Sequence, residues 1–229
     1  MMMDMQEMSR ERQRFYGCYP ALVIDIVDPN QQGRVKVRLP WSPDLNGGQY
    51  EVWARMATLM AGNNRGTWFI PDEDDEVLLM FEAGDPRRPV VIGGLWNGQD
   101  APPESMDSGG DNNIKSLVSR QGIRITLDDS SGQETLTMQT PLQTIVLKDN
   151  SPAIEITDGS GNSIHLESSG ITVNAAAKVT INGSTVEVSA GMVTVNAGMS
   201  KFSGVVQADT VITNSVVSAS YTPGAGNIW

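Results

Sequence analysis

The chain has 229 residues, a formal net charge of −11 and one cysteine, Cys18. The negative charge argues against binding to a phosphate backbone, and a single cysteine, which we expect to be a small apolar packing residue, cannot form an internal disulfide. Residues 1–14 lack the apolar segment of a secretory signal peptide and no run approaches the roughly 20 apolar residues of a membrane span, so we expect synthesis in the cytoplasm without a signal peptide.

The first segment, residues 1–16, is a methionine-rich N-terminal arm. Met5, Met8, Arg12 and Phe15 are three or four residues apart, which is the spacing of one side of a helix. Both a short docking helix over 4–16 and a frayed arm fit this pattern. We predict that Met5, Met8 and Phe15 bind a partner.

Short strands separated by Gly, Pro and Asp follow from residue 17. Residues 21–27 and 34–39 flank the turn 28–33, and in 34–39 apolar residues alternate with Arg and Lys, as in a half-buried strand. Further strands are predicted at 50–56, 67–70, 76–81 and 90–95. Short strands over some eighty residues predict a small Greek-key barrel of the OB type, which we assign to residues 17–98.

The next segment has almost nothing to bury. Residues 97–113 are rich in Asn, Gly, Asp and Pro, which favour turns over regular structure. We predict a linker over residues 99–115.

Apolar residues then arrive in alternating pairs, every seven to ten residues, joined by small polar turns. The repeats predict a solenoid or β-helix over residues 116–220. The first group has three members, Ile123/Ile125/Leu127, and the pairs are Leu136/Met138, Ile145/Leu147, Ile154/Ile156, Ile164/Leu166, Ile171/Val173, Val179/Ile181, Val186/Val188 and Val193/Val195.

Three chains wound together explain these repeats better than one. Each pair offers only two inward side chains, and Phe202 is the only aromatic residue between Asn97 and Ser220, so one chain has little with which to fill a core. An intertwined trimeric β-helix, a triangular prism with ladders between chains, has a narrow interior that suits Ile and Val. The alternative is a low-complexity secreted repeat such as an adhesin stalk. The sequence therefore predicts an all-β protein, with the prism following the barrel.

Candidate sites for chemistry are few. The acidic run 72–76 lacks the spacing of a calcium loop and fits a solvated turn, or a contact with a basic partner surface. His165 lies between Ile164 and Leu166, so it faces solvent if those two point inward; three inward imidazoles from a trimer would need the reverse register. We predict no catalytic residue, no cofactor and no metal site.

Aromatic residues return in the tail, residues 221–229. Both a capping segment and a disordered terminus fit. We predict Tyr221, Ile228 and Trp229 as a partner-binding surface at the end of the prism, which we call the needle.

Several motifs in the first half resemble, in their order, the OB domain of phage baseplate assembly protein V and of related spike proteins in contractile injection systems, including the VgrG group. They cover about eighty residues. The motifs are the segment 19–41, Trp53-Ala-Arg55, Gly66, Pro71, Glu76-Val77, Phe81, Gly84-Asp-Pro86 and Pro89-Val-Val-Ile-Gly-Gly-Leu95.

This resemblance implies a homotrimeric central spike in the baseplate of a virion or an injection-system particle. The barrels would form a collar on a hub protein, with Met5, Met8 and Phe15 as hub contacts, and the needle would cross the target membrane when the sheath contracts. The linker is too short for the lysozyme domain of some relatives, and the arm too short for a hub region. With His165 as the only histidine, a separate PAAR-like tip protein, bound by Tyr221, Ile228 and Trp229, fits better than an iron-bearing tip.

Two rival functions follow from the same sequence. A receptor-binding fibre or adhesin would carry variable aromatic or charged loops along its shaft, and these are scarce. An OB module that binds glycans or single-stranded nucleic acid would expose stacking aromatics, for which Trp41, Trp53 and Trp68 are the candidates.

Overall fold

The computed structural model describes residues 14–43, 48–149 and 153–220. In these ranges the regular structure consists of β-strands and one short 3-10 turn, Glu82–Gly84, and no helix long and apolar enough to cross a membrane is present. The predicted helix over 4–16 falls almost wholly outside the described residues, and Arg14, Phe15 and Tyr16 are not helical.

Five strands close into a barrel in the first half, which confirms the predicted all-β architecture with an OB-like domain. The strands are β1 (Cys18–Asp25), β2 (Val35–Pro43), β3 (Gln49–Met56), β6 (Glu76–Phe81) and β7 (Pro89–Gly94). Neighbouring strands follow the order β1-β2-β3-β7-β6 and return to β1; β3 and β7 are parallel and the other pairs antiparallel.

The barrel interior holds all the fully buried apolar side chains of the described residues. Along β2, the apolar residues predicted to face inward are buried, and the charged residues between them face outward. The core comprises Ala21, Val23, Val35, Val37, Leu39, Ala54, Val77, Leu79, Phe81 and Val91.

Two expectations for this half are wrong. Residues 67–70 form no strand; instead a small hairpin, β4 (Ala61–Gly62) and β5 (Arg65–Gly66), precedes them, and the Trp68 ring lies against Gly33. Cys18 is exposed, because it pairs with Met80 across the ladder and cross-strand partners share one face, which here is the outer face of the barrel.

The turn between β1 and β2 is built around Asp28. Its carboxylate accepts hydrogen bonds from the backbone nitrogens of Asn30 (3.0 Å) and Gln32 (2.8 Å) and pairs with the guanidinium of Arg34 (2.7 Å). The Asp28 side chain is only 4% exposed. The bonds from Arg34, followed by those from the backbone, hold the pKa of Asp28 well below its usual range.

We expect Asp28→Asn to lower the melting temperature at pH 7, and the difference from the unaltered protein to shrink at pH 2.5. A carboxylate whose pKa is depressed by folding stabilises the fold above its unfolded pKa of about 4, and this contribution is lost as the pH falls toward the folded pKa. The melting temperatures of Asp28→Asn and of the unaltered protein, measured by circular dichroism at both pH values, give the two differences. Asp209→Asn, at an exposed position, is the matched control. A difference that is the same at both pH values would contradict the role given to Asp28.

A seven-stranded antiparallel sheet follows the barrel, with its strands in sequence order. Each strand therefore pairs with its neighbour in the same chain, whereas the sequence predicted ladders between chains. Turns of a few small polar residues let the chain fold straight back, which makes the neighbouring strand the nearest partner. The strands are β8 (Ile114–Val118), β9 (Arg124–Asp128), β10 (Thr135–Gln139), β11 (Gln143–Lys148), β12 (Ala153–Asp158), β13 (Ser163–Glu167) and β14 (Gly170–Asn174).

The chain divides into two compact units, with the boundary after Lys178. The barrel and the seven-stranded sheet both belong to the first unit, and β8 begins within the predicted linker. In the described part of the second unit, residues 179–220, no strand is formed and every residue is exposed. The apolar pairs predicted as strands there have no ladder partner in the single chain.

Candidate functional site: one face of the seven-stranded sheet

Cross-strand register collects most of the apolar side chains of the sheet on one side. Residues that lie opposite each other on neighbouring strands point to the same face. The registers form two rows across the sheet, which together we call the apolar face. The rows are Leu127, Leu136, Leu147, Ile154, Leu166 and Ile171, and Leu117, Ile125, Met138, Ile145, Ile156, Ile164 and Val173.

The apolar face is uncovered in the single chain. None of its thirteen side chains is buried, and nine of them are between 37% and 71% exposed. A soluble protein rarely leaves so large a contiguous apolar patch open unless another molecule covers it. The geometry of the sheet therefore indicates a binding face.

The opposite side of the sheet is mostly polar. Its central row runs Ser116, Thr126, Thr137, Val146, Glu155, His165 and Thr172. Lys148 and Glu155 form an ion pair of 3.0 Å on this side, each about one-third exposed. The sheet thus has one side suited to water and one suited to a core.

His165 lies on the polar side, as the alternation predicted. It is opposite Glu155 on one neighbouring strand and Thr172 on the other, whereas Ile164 and Leu166 belong to the apolar face. The reverse register, which three inward imidazoles would need, is therefore not the one the sheet has. Within the described ranges, no group of three or more side chains is arranged to hold a metal ion.

Aspartates fix two of the hairpin turns that the structure describes in this sheet. In the turn between β12 and β13, the Asp158 carboxylate accepts bonds from the backbone nitrogens of Ser160 (2.9 Å) and Asn162 (2.8 Å) and from the Asn162 side-chain amide (2.7 Å). These bonds, with those from Asn162 dominant, lower the pKa of Asp158. Ser130 lowers the pKa of Asp128 in the same way between β9 and β10. The carboxylates thus serve as turn residues.

The acidic run 72–76 is tied to this sheet and to its own backbone. Asp72 pairs with Arg120, in the turn between β8 and β9, at 3.2 Å, and its backbone nitrogen donates to the Asp75 carboxylate at 2.8 Å. Outside this run, a further ion pair joins Arg124 of β9 to Glu104, in the segment before the sheet. The run therefore supplies contacts within the chain.

Phe15 is the one predicted partner-binding residue that the structure describes. Its ring lies 5.2 Å from that of Phe81, 5.3 Å from that of Trp41 and 5.5 Å from that of Tyr19, measured between centroids, and it is half-buried against the barrel core. Its backbone nitrogen donates to the Gly84 carbonyl at 2.9 Å. The others, Met5, Met8, Tyr221, Ile228 and Trp229, lie outside the described residues.

The three tryptophans considered as stacking groups all contact their own chain. Trp41 stacks on Tyr19 with centroids 4.8 Å apart, and its indole nitrogen donates to a backbone carbonyl at 2.8 Å. The guanidinium of Arg34 lies 5.6 Å from the centre of the Trp53 ring, and Trp68 rests on Gly33. Barrel packing therefore occupies part of each ring.

Comparison with known families gives two matches. Residues 19–96 match the type VI secretion system/phage-baseplate injector OB domain, and residues 115–200 match the phage baseplate V C-terminal trimerisation domain. The first match covers the barrel, and the second covers the apolar face together with the beginning of the second unit.

Similar curated proteins carry VgrG names. Type VI secretion system spike protein VgrG1a of Pseudomonas aeruginosa is 32% identical over 114 residues, which is 47% of this chain and 18% of the relative. Actin cross-linking toxin VgrG1 of Vibrio cholerae is 28% identical over 111 residues, 47% of this chain and 10% of the relative. The chain thus spans less than a fifth of the length of either relative.

Proposed function

Because the chain belongs to the phage baseplate V and VgrG-like family of injector spike proteins, we propose that three copies of it join through their apolar faces to form the central spike of a contractile tail or injection apparatus. The apolar face is the observation that carries this proposal. Three sheets arranged as a triangular prism, each with its apolar face inward, cover all three faces at once. The polar sides then meet water.

The proposed role is mechanical rather than enzymatic. The collar would be residues 17–98, the linker 99–115 and the needle 116–220, with a cap at 221–229. The collar attaches to a baseplate hub, and sheath contraction drives the needle through the target envelope. A close-packed prism that resists unfolding suits this task, because the load is brief and slow unfolding outlasts it.

We propose one partner contact near each end of the chain, to a hub protein and to a tip protein. We assign the hub contact to Met5, Met8 and Phe15. Phe15 is half-buried against its own barrel, so only its remaining surface is available to a hub. At the other end, Tyr221, Ile228 and Trp229 would bind a PAAR-like tip protein.

We expect the full chain to have a mass in solution of about 74 kDa, three times the 24.7 kDa of one chain. Light scattering coupled to size exclusion measures this mass directly. Because a closed prism buries the apolar faces on every copy, the mass should stay constant on dilution through the micromolar range. A stable monomer would overturn the proposed function, and a dimer would overturn the prism.

A further inference from the structure

The second unit contains two different repeat lengths. The chain bends at Ser184, Gly191 and Gly198, which are seven residues apart. It bends again at Gly204, Asp209, Asn214 and Ala219, which are five residues apart. The residues at the bends are small or favour turns, as expected where a strand passes a corner.

The apolar pattern changes with the repeat length. In the seven-residue repeats the apolar residues are two apart, as in Val186 and Val188, so that both point to one side. In the five-residue repeats they are adjacent, as in Val211 and Ile212, so that only one of each pair can point to that side. Each shorter repeat therefore supplies one inward side chain where a longer repeat supplies two.

Exposure identifies which residue of each adjacent pair lies on the more sheltered side. Val206, Val211 and Val216 are 62%, 71% and 64% exposed, and they recur every five residues. Their neighbours Val205, Ile212 and Val217 are 96%, 95% and 99% exposed. The less exposed set marks the inward side of the repeat.

We propose that the needle narrows between Gly198 and Gly204, where each chain changes from seven to five residues per side of the prism, and that Val206, Val211 and Val216 meet their counterparts from two other copies across the narrowed axis. This inference rests on the proposed trimer. A side shortened by two residues loses about 7 Å. The result is a taper built into the repeat length.

Ser200 and Phe202 lie where the repeat length changes from seven residues to five. They lie seven residues after Val193 and Val195, so they occupy the inward positions of the next repeat. A small side chain and an aromatic one thus replace two valines. Phe202 is 72% exposed in the single chain, and three copies of this ring would fill the axis where the wide section ends.

The geometry gives a distance test. The midpoints of two sides of an equilateral triangle are half a side apart, which is about 12 Å for seven residues and about 8 Å for five. A disulfide requires Cα atoms no more than about 7 Å apart. Small motions bring cysteines within this limit in the narrow section, but not in the wide one.

Cysteine oxidation of the full chain tests the inference, in a Cys18→Ser background that leaves no other cysteine. Val211→Cys and Val206→Cys are expected to give a crosslinked dimer band on non-reducing gels, several times stronger than Val195→Cys or Val188→Cys. Thr194→Cys and Ile212→Cys, on the outward side, are the matched controls and should stay uncrosslinked.

The mass of each variant is measured first by light scattering. A trimer that crosslinks equally at positions 195 and 211 would overturn the narrowing and leave the trimer standing. A trimer that crosslinks at 212 as readily as at 211, or not at 211 or 206, would overturn the inward assignment. A monomeric unaltered protein would overturn the proposed function itself, and the inference with it.

Discussion

Replacing Ile156 with aspartate is expected to shift the protein from a species of about 74 kDa to one of about 25 kDa, the mass of a single chain. Ile156 lies near the middle of the apolar face, between Ile145 and Ile164 on the neighbouring strands. In the proposed prism three aspartates would be buried around one axis. An unpaired buried charge costs several kcal/mol, so three of them outweigh the gain from covering this part of the face.

The matched control is Thr157→Asp, one residue further along the same strand. Thr157 is opposite Thr144 and Ser163, on the polar side of the sheet, so an aspartate there stays in contact with water. Both variants place a residue with low strand propensity in β12, and they differ only in the face that carries the charge. Light scattering should therefore give about 25 kDa for Ile156→Asp and about 74 kDa for Thr157→Asp. Equal masses for the two variants would exclude the apolar face as the site of assembly.

The barrel was largely predictable because its strands are half-buried and alternate. In β2, Val35, Val37 and Leu39 alternate with charged residues, and the structure buries those three. The predicted bounds 76–81 coincide with β6. The strand predicted at 67–70 is absent for a local reason. The aromatic residues there favour a strand by composition. However, Trp68 lies against Gly33 in the turn between β1 and β2, and residues 67–70 pair with no neighbouring strand.

For the apolar face, alternation predicted which side chains point the same way, but not which strand lies alongside. The period of two is the same for a neighbour in the same chain and for one in another chain, and only the short turns distinguish them. Leu117 was missed for a different reason. β8 mixes apolar and polar residues on both sides, with Lys115 on the same face as Leu117, so it gives no alternating signal.

A substitution in the barrel core is also expected to have a large effect, on the stability of the fold rather than on assembly. We expect Leu79→Ala to lower the free energy of unfolding by about 2–5 kcal/mol, because Leu79 is fully buried in the barrel core and its truncation leaves a cavity. Met80→Ala, the next residue on β6, is the control, since Met80 is 45% exposed on the outer side.

Urea unfolding of the full chain, followed by tryptophan fluorescence, measures this change, because four of the five tryptophans lie between residues 41 and 96 and report on the barrel. The midpoint for Leu79→Ala should fall well below that for Met80→Ala, while both variants keep the mass of about 74 kDa at low urea. Leu79 belongs to the barrel and Ile156 to the apolar face, so the two effects should be independent. Loss of the trimer in Leu79→Ala before the barrel unfolds would show instead that assembly depends on the barrel core, and that the apolar face alone does not hold the three chains together.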